Sequence, residues 1–413
     1  MTSPLPEPSD ITAFIARNWD ACIRETRMDT PQVRALPFPY VVPCASGRFD
    51  TLFYWDTYFT NLGLLRQGRL DLAKANVDNL LYEVRTLGFV PNSNGVIHLN
   101  QSQPPYLAMM VRDVYAQTGD RAWLATAFAL LQGEYRFWME QRAASCGLNR
   151  YFCNIPDDRA ALLKNWQHQL ERLHLAADPA KDDDERLRRS LNAYAEYESG
   201  WDMTPRFEHR CAEFAPVDLN SNLYLYETFF ADFAAILGGD NTPWRQRAAA
   251  RRELMNRFLW DEQQGLFLDW DFVNDRRSRT ASLATFHPLW AGLATPEQAA
   301  GVRRALPRFE RAYGLCTCEP GARPFTTQWD APNAWAPLHW IAVDGLRRQG
   351  FPEDADRIAG KFRQVVADNF QHTGNLWEKY NAEDGSLQVG NEYDMPPMLG
   401  WTAGIFLALA TAT

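Results

Sequence analysis

Apolar residues recur with helical period along nearly the whole chain, and the breaks between periodic stretches are rich in Pro, Gly and aromatic residues. That period predicts helices over 11–26, 55–65, 70–86, 106–117, 123–142, 218–237, 244–260, 282–293, 296–306, 335–348, 353–370 and 401–410. Local signals agree with the boundaries. Ser9-Asp10 stands where an N-cap belongs, Pro104-Pro105 sits at a first helical turn, and Gly88 follows the third periodic stretch. Strand signal is confined to 265–272, which reads as one short strand or hairpin arm. Residues 157–197 are different. They are highly charged, include the run Lys181-Asp182-Asp183-Asp184-Glu185, and read as solvated helices and a loop over a pocket, with no chemistry in the run itself.

No low-complexity linker or composition shift cuts the chain, so the expectation is one all-α domain over 1–413. Residues 1–46 form its N-terminal helix and connection, and 157–197 are an insertion-like lid candidate. About a dozen helices joined by loops that hold the distinctive residues suit helical hairpins closed into a ring, although periodicity does not establish closure.

Charge and cysteine usage narrow the partners. The formal net charge is -9 and no basic tail is present, which argues against nucleic acid. No apolar run approaches a membrane span, and the first residues have neither a basic nor an apolar leader segment. Seven cysteines lack a disulfide framework, and Cys316 and Cys318 lack the second pair that zinc would need. A cytoplasmic protein is expected; the sequence is silent on oligomeric state.

The chemistry lies in the loops. Aromatic residues make up 13% of the chain and include 15 Trp. Many lie beside carboxylates or amides: Trp55-Asp56, Trp201-Asp202, Gln328-Trp329-Asp330, Trp377-Glu378. A sugar offers an apolar ring face and a rim of hydroxyls, and such pairs match both, so a small carbohydrate is the expected partner. In 198–206, Glu-Ser-Gly-Trp-Asp-Met-Thr-Pro-Arg, a Gly beside a Trp and a carboxylate points to a backbone in close approach to something else. The plainer reading of this stretch is a helix end with a solvated Asp. Asp56, Asp202, Asp330, Glu378 and Glu392 all sit in aromatic or Gly/Pro-rich surroundings. Hydrolysis of a glycosidic bond needs one carboxylic acid and a second carboxylate. Asp202 and Glu378 suit that pair, each after a Trp and each near a cation, Arg206 and Lys379. There is no Gly-rich phosphate loop, no Gly-x-Ser-x-Gly and no His-x-x-x-His, so no cofactor or metal is expected. His98, His287 and His339 read as core or loop histidines.

From about residue 47 onward the motifs, in order, resemble the trehalases, glycoside hydrolases of family 37. Gly47-Arg48-Phe49 with Tyr54-Trp55-Asp56-Thr57-Tyr58 is similar to the first signature of that family. Phe89-Val90-Pro91-Asn92 with Ser102-Gln103-Pro104-Pro105 resembles the second loop. Glu198 to Asp202 with Arg206, and Pro216 to Asn220, follow. Gln328 to Pro337 resembles the most specific signature, and Glu378-Lys379-Tyr380, Asn391-Glu392-Tyr393 and Gly400-Trp401-Thr402 complete the set. The resemblance implies an (α/α)6 toroid and hydrolysis with inversion and without metal, Asp202 as acid and Glu378 as the base that activates water. It also implies that Arg48, Trp55, Asp56, Asn92, Gln103 and Glu392 hold sugar hydroxyls. Phe49, Gln101, Gly200, Arg206, Trp329, Asp330, Trp335 and Trp401 complete the expected substrate-binding set.

The chain also departs from that pattern. Gln101 stands where the family usually has Arg before Ser-Gln-Pro-Pro, the family's Pro-Arg-Pro-Glu-Ser segment is absent, and the Gly-rich run before Glu392 is reduced to Gly390-Asn391. Arg makes planar bidentate contacts that Gln does not, so part of the sugar-recognition shell is rewritten around an intact pair. The expected activity is that of an inverting α-glycosidase on α,α-trehalose or a near relative. Two alternatives stand beside it: a hydrolase of glucosylglycerate, mannosylglycerate or another small α-glycoside on the same fold, as in family 63, and a sugar-binding protein without catalysis.

Overall fold

The computed structural model describes residues 8–47, 49–173, 175, 177–321, 328–390 and 393–410. Its helices in chain order are α1 (Pro8–Asn18), α2 (Tyr54–Arg66), α3 (Leu70–Leu87), α4 (Leu107–Thr118), α5 (Arg121–Gln141), α6 (Arg159–Arg172) and α7 (Asp183–Ser199). There follow α8 (Val217–Leu237), α9 (Thr242–Phe258), α10 (His287–Trp290), α11 (Pro296–Arg304), α12 (Ala336–Arg348), α13 (Pro352–Thr373) and α14 (Gly400–Ala410). Caps fix several starts: Asp120 accepts from Trp123 N–H at α5, and Thr295 with Gln298 forms a capping box at α11.

Two kinds of helix make two layers. In α2 every residue from Tyr54 to Leu64 is buried, and in α14 every residue from Gly400 to Leu409. A helix apolar all round belongs inside, whereas α3 and α13 bury one face and expose the other. The inner helices α2, α4, α8, α10, α12 and α14 each pack on the next, and α14 returns to α2. Helices α3, α5, α9 and α13 pack outside them, and α1 lies on α13 and α14. This is the (α/α)6 toroid, one all-α domain. The closing contact is tight. A methyl on Gly63 would lie 2.6 Å from Gly404 Cα, and one on Gly404 would collide with the Phe59 carbonyl, so both positions need a residue without a side chain.

Three predicted elements are shorter than expected. The first helix stops at Asn18, gives way to a 3-10 turn (Trp19–Cys22), and continues as strand Ile23–Arg24 paired with Tyr40–Val41. Residues 265–272 are two separate pieces: Leu266–Phe267 pairs with Trp260–Asp261, and Trp270–Asp271 lies between Phe214–Ala215 and Arg276–Arg277. Strand pairing decides both cases. The helix predicted over 282–293 is instead a 3-10 turn, Leu283–Phe286, followed by the one-turn α10, which takes an inner position.

Helices α6 and α7 pack mainly on each other. They carry two small cores of their own, Leu162 and Tyr194 with Cys153, and Trp166 and Leu170 with Ala180. The acidic run begins α7, where Asp182 accepts from Glu185 N–H as N-cap. Among the described residues no helix is long and apolar enough to cross a membrane.

Candidate active site

One cavity of about 840 Å³ gathers loop residues from widely separated parts of the chain. Asp202 and Glu378 both line it, with Phe49, Trp55, Asp56, Asn92, Gln101, Gln103, Gly200, Trp329, Trp335 and Trp401. Arg48 and Glu392 fall outside the described residues. Asp330 is buried but does not line the cavity. Arg206 is placed elsewhere too, for a reason given below.

The apolar surface of the cavity is built around Trp329. It stacks on Trp335 with ring centroids 3.8 Å apart and planes 3° from parallel, and Trp201 stacks against it with centroids 5.5 Å apart. Trp55 lies 5.5 Å from Trp329, and Trp401 meets Trp55, Trp329 and Trp335 edge-on. Offset and edge-to-face contacts of this kind fix ring positions, so the platform exists before any ligand arrives.

Asp202 follows the end of α7, where Gly200 turns the chain in the left-handed conformation at φ 71°. A methyl here would lie 2.8 Å from the Trp55 ring. The close approach read from the sequence is therefore made to an aromatic ring of the cavity. Gly200→Ala should strain the backbone and push Trp55 off its platform, costing about 2–4 kcal/mol in a urea unfolding curve and about tenfold or more in kcat/KM. Unchanged kinetics in that variant would mean that Trp55 can shift freely.

Beyond Gly200, Arg172 of α6 donates to Asp202 Oδ2 at 3.0 Å, and the Asp202 side chain is about a quarter exposed. Glu196 lies behind, accepting from Met203 N–H at 3.1 Å. Burial, with the Asp202 charge adding to it, pushes its carboxyl up to about 8. Glu198 fixes the segment from the other side. Its carboxylate takes both arms of Arg142 at 2.8 Å and the N–H groups of Ser102 and Phe152, each at 2.8 Å. The loop bearing Gln101 and Gln103 is thereby tied to the segment bearing Asp202.

Glu378 is presented by a different device. Strand Asn333–Trp335 pairs antiparallel with Lys379–Asn381, placing Trp335 opposite Lys379, and Glu378 immediately precedes the strand. Lys379 Nζ donates to Oε2 at 2.7 Å and Tyr393 OH to Oε1 at 2.6 Å, so both oxygens are oriented. Lys379 Nζ also sits 4.6 Å from the Trp335 ring centroid, and Trp401 Nε1 holds the Glu378 carbonyl at 3.1 Å. Every group that aims Glu378 is itself buried or aromatic.

The remaining polar lining suits hydroxyls. Gln103 Oε1 accepts the Trp55 N–H at 3.1 Å, which leaves its amide hydrogens to donate. Gln101 Oε1 is buried with no hydrogen-bond partner among the described residues, an acceptor that a ligand O–H would satisfy. Burial, helped by the charge of Glu378, pushes the Asp56 carboxyl up to about 8 against the pull of a backbone N–H. At neutral pH it therefore keeps its proton in the folded state. The unfolded carboxyl ionises near 3.8, so between about pH 4 and 8 the folded state holds the extra proton and this group's contribution to stability falls as pH rises. Asp56→Asn removes that loss. The Tm of the variant relative to wild type should climb between about pH 5 and pH 8.5, and a flat difference across thermal melts would contradict the assignment.

Arg206 has no access to the cavity. It is fully buried, gripping Asp269 through Nε at 2.6 Å and Nη2 at 2.7 Å, with Asp218 on the same nitrogen. Its guanidinium lies 4.5 Å from the Trp201 ring centroid, behind the acidic segment. Sequence proximity to Asp202 suggests sugar; the buried carboxylates of 218 and 269 claim the cation instead. Conversely, the cavity has lining residues outside the set expected from the sequence: Lys164, Asn165, His168 and Arg172 of α6, Tyr197 of α7, Gln328 and Tyr393. Gln328 and Tyr393 stand within family-like motifs, whereas nothing in a charged helix marks which of its cations faces inward. His98 bonds Ser93 Oγ at 2.6 Å and lines the mouth, and His339 is a core residue that accepts the Leu315 N–H at 2.8 Å.

The sequence profile of the trehalase family matches residues 10–412. The chain belongs to the trehalase family. Its structure is similar to that of neutral trehalase Nth1 from Saccharomyces cerevisiae, with a TM-score of 0.83 and 25% identity over 99% of this chain and 94% of that one. The fold of this trehalase-family chain is also that of a GH63 mannosylglycerate hydrolase from Thermus thermophilus, with a TM-score of 0.67 and 18% identity, covering 97% and 99% of the two chains. A GH78 rhamnosidase of Bacillus sp. GL1 shares it at a TM-score of 0.60 and 15% identity, over 90% of this chain and 33% of that one. Membership makes this protein a glycoside hydrolase of trehalase type, which the pair of carboxylates on a tryptophan platform suits.

Proposed function

We propose that the protein hydrolyses α,α-trehalose or a closely related α-glucoside with inversion, Asp202 acting as general acid and Glu378 as general base. The observation that carries this reading is that two carboxylates from distant segments, each separately positioned, meet in one cavity floored by tryptophan. A glucose ring lies on the platform with its hydroxyls toward Asn92, Gln101, Gln103 and the protonated Asp56. Asp202 gives its proton to the glycosidic oxygen as the bond to the anomeric carbon breaks. Glu378, oriented by Lys379 and Tyr393, takes a proton from the water that attacks the opposite face. Asp202 then regains a proton from solvent and Glu378 gives up the one it took, which resets the pair.

Proton NMR of the purified protein with α,α-trehalose tests this directly. Inversion releases one β-glucose and one α-glucose per turnover, and the β-anomer signal should appear with the first product. Early release of α-glucose alone would exclude inversion. Binding without turnover would mark a sugar-binding protein.

A further inference from the structure

The basic side chains that line the cavity are not scattered. Lys164, His168 and Arg172 all come from α6, four residues apart in each case, and all three line the cavity. Residues at that spacing share a helix face and rise about 6 Å per step, so the three heads form a row about 12 Å long. Burial along the row is graded. Lys164 is exposed, the His168 side chain is 63% exposed, and that of Arg172 only 10%, where it meets Asp202. The row thus runs from the mouth down to the acid. Of the carboxylates lining the cavity, Asp56 and Glu378 are buried, and Asp202 meets the buried end of the row through Arg172.

We propose that this row selects a glycoside whose leaving group carries an anion, a carboxylate or a phosphate, with Lys164 and His168 reading the anion at the mouth and Arg172 linking it to the acid. This deepens the hydrolase reading above and rests on it. The glycosyl ring belongs on the tryptophan platform, so the group cleaved from it by Asp202 extends along α6. Neutral hydroxyls need donors and acceptors but no row of basic side chains, and a chain of net charge -9 has no general excess of cations to place there. Other cations of this hairpin are neutralised on the spot: Arg159 by Asp183, Arg186 by Asp178, Arg189 by Glu185. Lys164 has no such partner among the described residues. His168 has Glu171 on its own helix at 3.8 Å, a long and exposed contact that a bound anion would outcompete.

The test compares three substrates on the whole protein: α,α-trehalose, trehalose 6-phosphate and 2-O-α-glucosylglycerate, each at low and high NaCl. The expected result is that at least one anionic glycoside exceeds trehalose in kcat/KM by about tenfold or more, with a preference that shrinks as salt rises. The two anionic substrates separate phosphate from carboxylate. Lys164→Met and His168→Gln should each lower the anionic-to-neutral ratio by several-fold. Trehalose as best substrate, or a ratio unmoved in both variants, overturns the proposal. Should none of the three be hydrolysed, the hydrolase reading fails by itself, and titration calorimetry with the same compounds still decides the anion. Salt-sensitive, tighter binding of an anionic glycoside supports it, and equal or absent binding overturns it.

Discussion

Asp202→Asn and Glu378→Gln should each reduce hydrolysis of the natural glycoside by a factor on the order of 10²–10⁴, and the two variants should part company on α-glucosyl fluoride. Fluoride departs without a proton, so loss of the acid matters little for that substrate. Attack by water still needs a base. The Asn variant should therefore regain much of the wild-type rate on the fluoride, while the Gln variant stays inactive on both substrates. Both changes are isosteric, and each carboxyl is held by neighbours that an amide still meets in part: Arg172 at Asp202, Lys379 and Tyr393 at Glu378. Thermal unfolding should confirm that the fold survives. Full rescue of the Gln variant and none of the Asn variant would exchange the two roles.

The largest loss of stability should come from Arg206→Met. The guanidinium satisfies two buried carboxylates at once, and Asp218 and Asp269 also receive Tyr151 OH at 3.0 Å and Val217 N–H at 2.8 Å. Removing the cation leaves two acids facing each other without water. Breaking a buried ion pair from one side costs about 3–5 kcal/mol, measured by chemical denaturation. A residue that gripped sugar would behave differently, raising KM and leaving the unfolding midpoint in place. Arg206→Lys, which keeps the charge but loses the fork, should recover only part of the stability. A stable methionine variant with a raised KM would return Arg206 to the sugar.

Much of this architecture is legible in the sequence, and particular residues show where legibility stops. Helical period locates the ring helices because each buries a face or its whole surface, and the tryptophan-carboxylate pairs locate the cavity because sugar requires both surfaces. Gly200 announces a close approach, which is to the Trp55 ring. Arg206 misleads because a cation four residues after Asp202 looks adjacent in sequence, while its real partners come from α8 and from residue 269. Arg172 escapes notice because a cation in a charged helix looks solvated, and only tertiary packing turns that helix face to the cavity. The first helix reads as too long because an apolar period continues through the 3-10 turn of Trp19 and Cys22, after which pairing of Ile23–Arg24 with Tyr40–Val41 overrides it. Neighbour relations of this kind are properties of the closed ring, not of any segment.

The junction of α2 and α14, with Gly63 and Gly404 almost touching, bears on how the ring comes to exist. Contacts between helices adjacent in sequence can form early, since little chain must be closed to make them. The last seam cannot. It joins the first inner helix to the final one, so nearly the whole chain must be gathered before it yields any contact energy, and until then a strip of buried tryptophan and glycine lies open along both helices. The same adjacency makes the seam a natural place to reconnect the chain. A circular permutant that links the end of α14 to the segment ahead of α1, which already lies on α13 and α14, and opens one of the outer connections would bring the two sides of this seam closer along the chain.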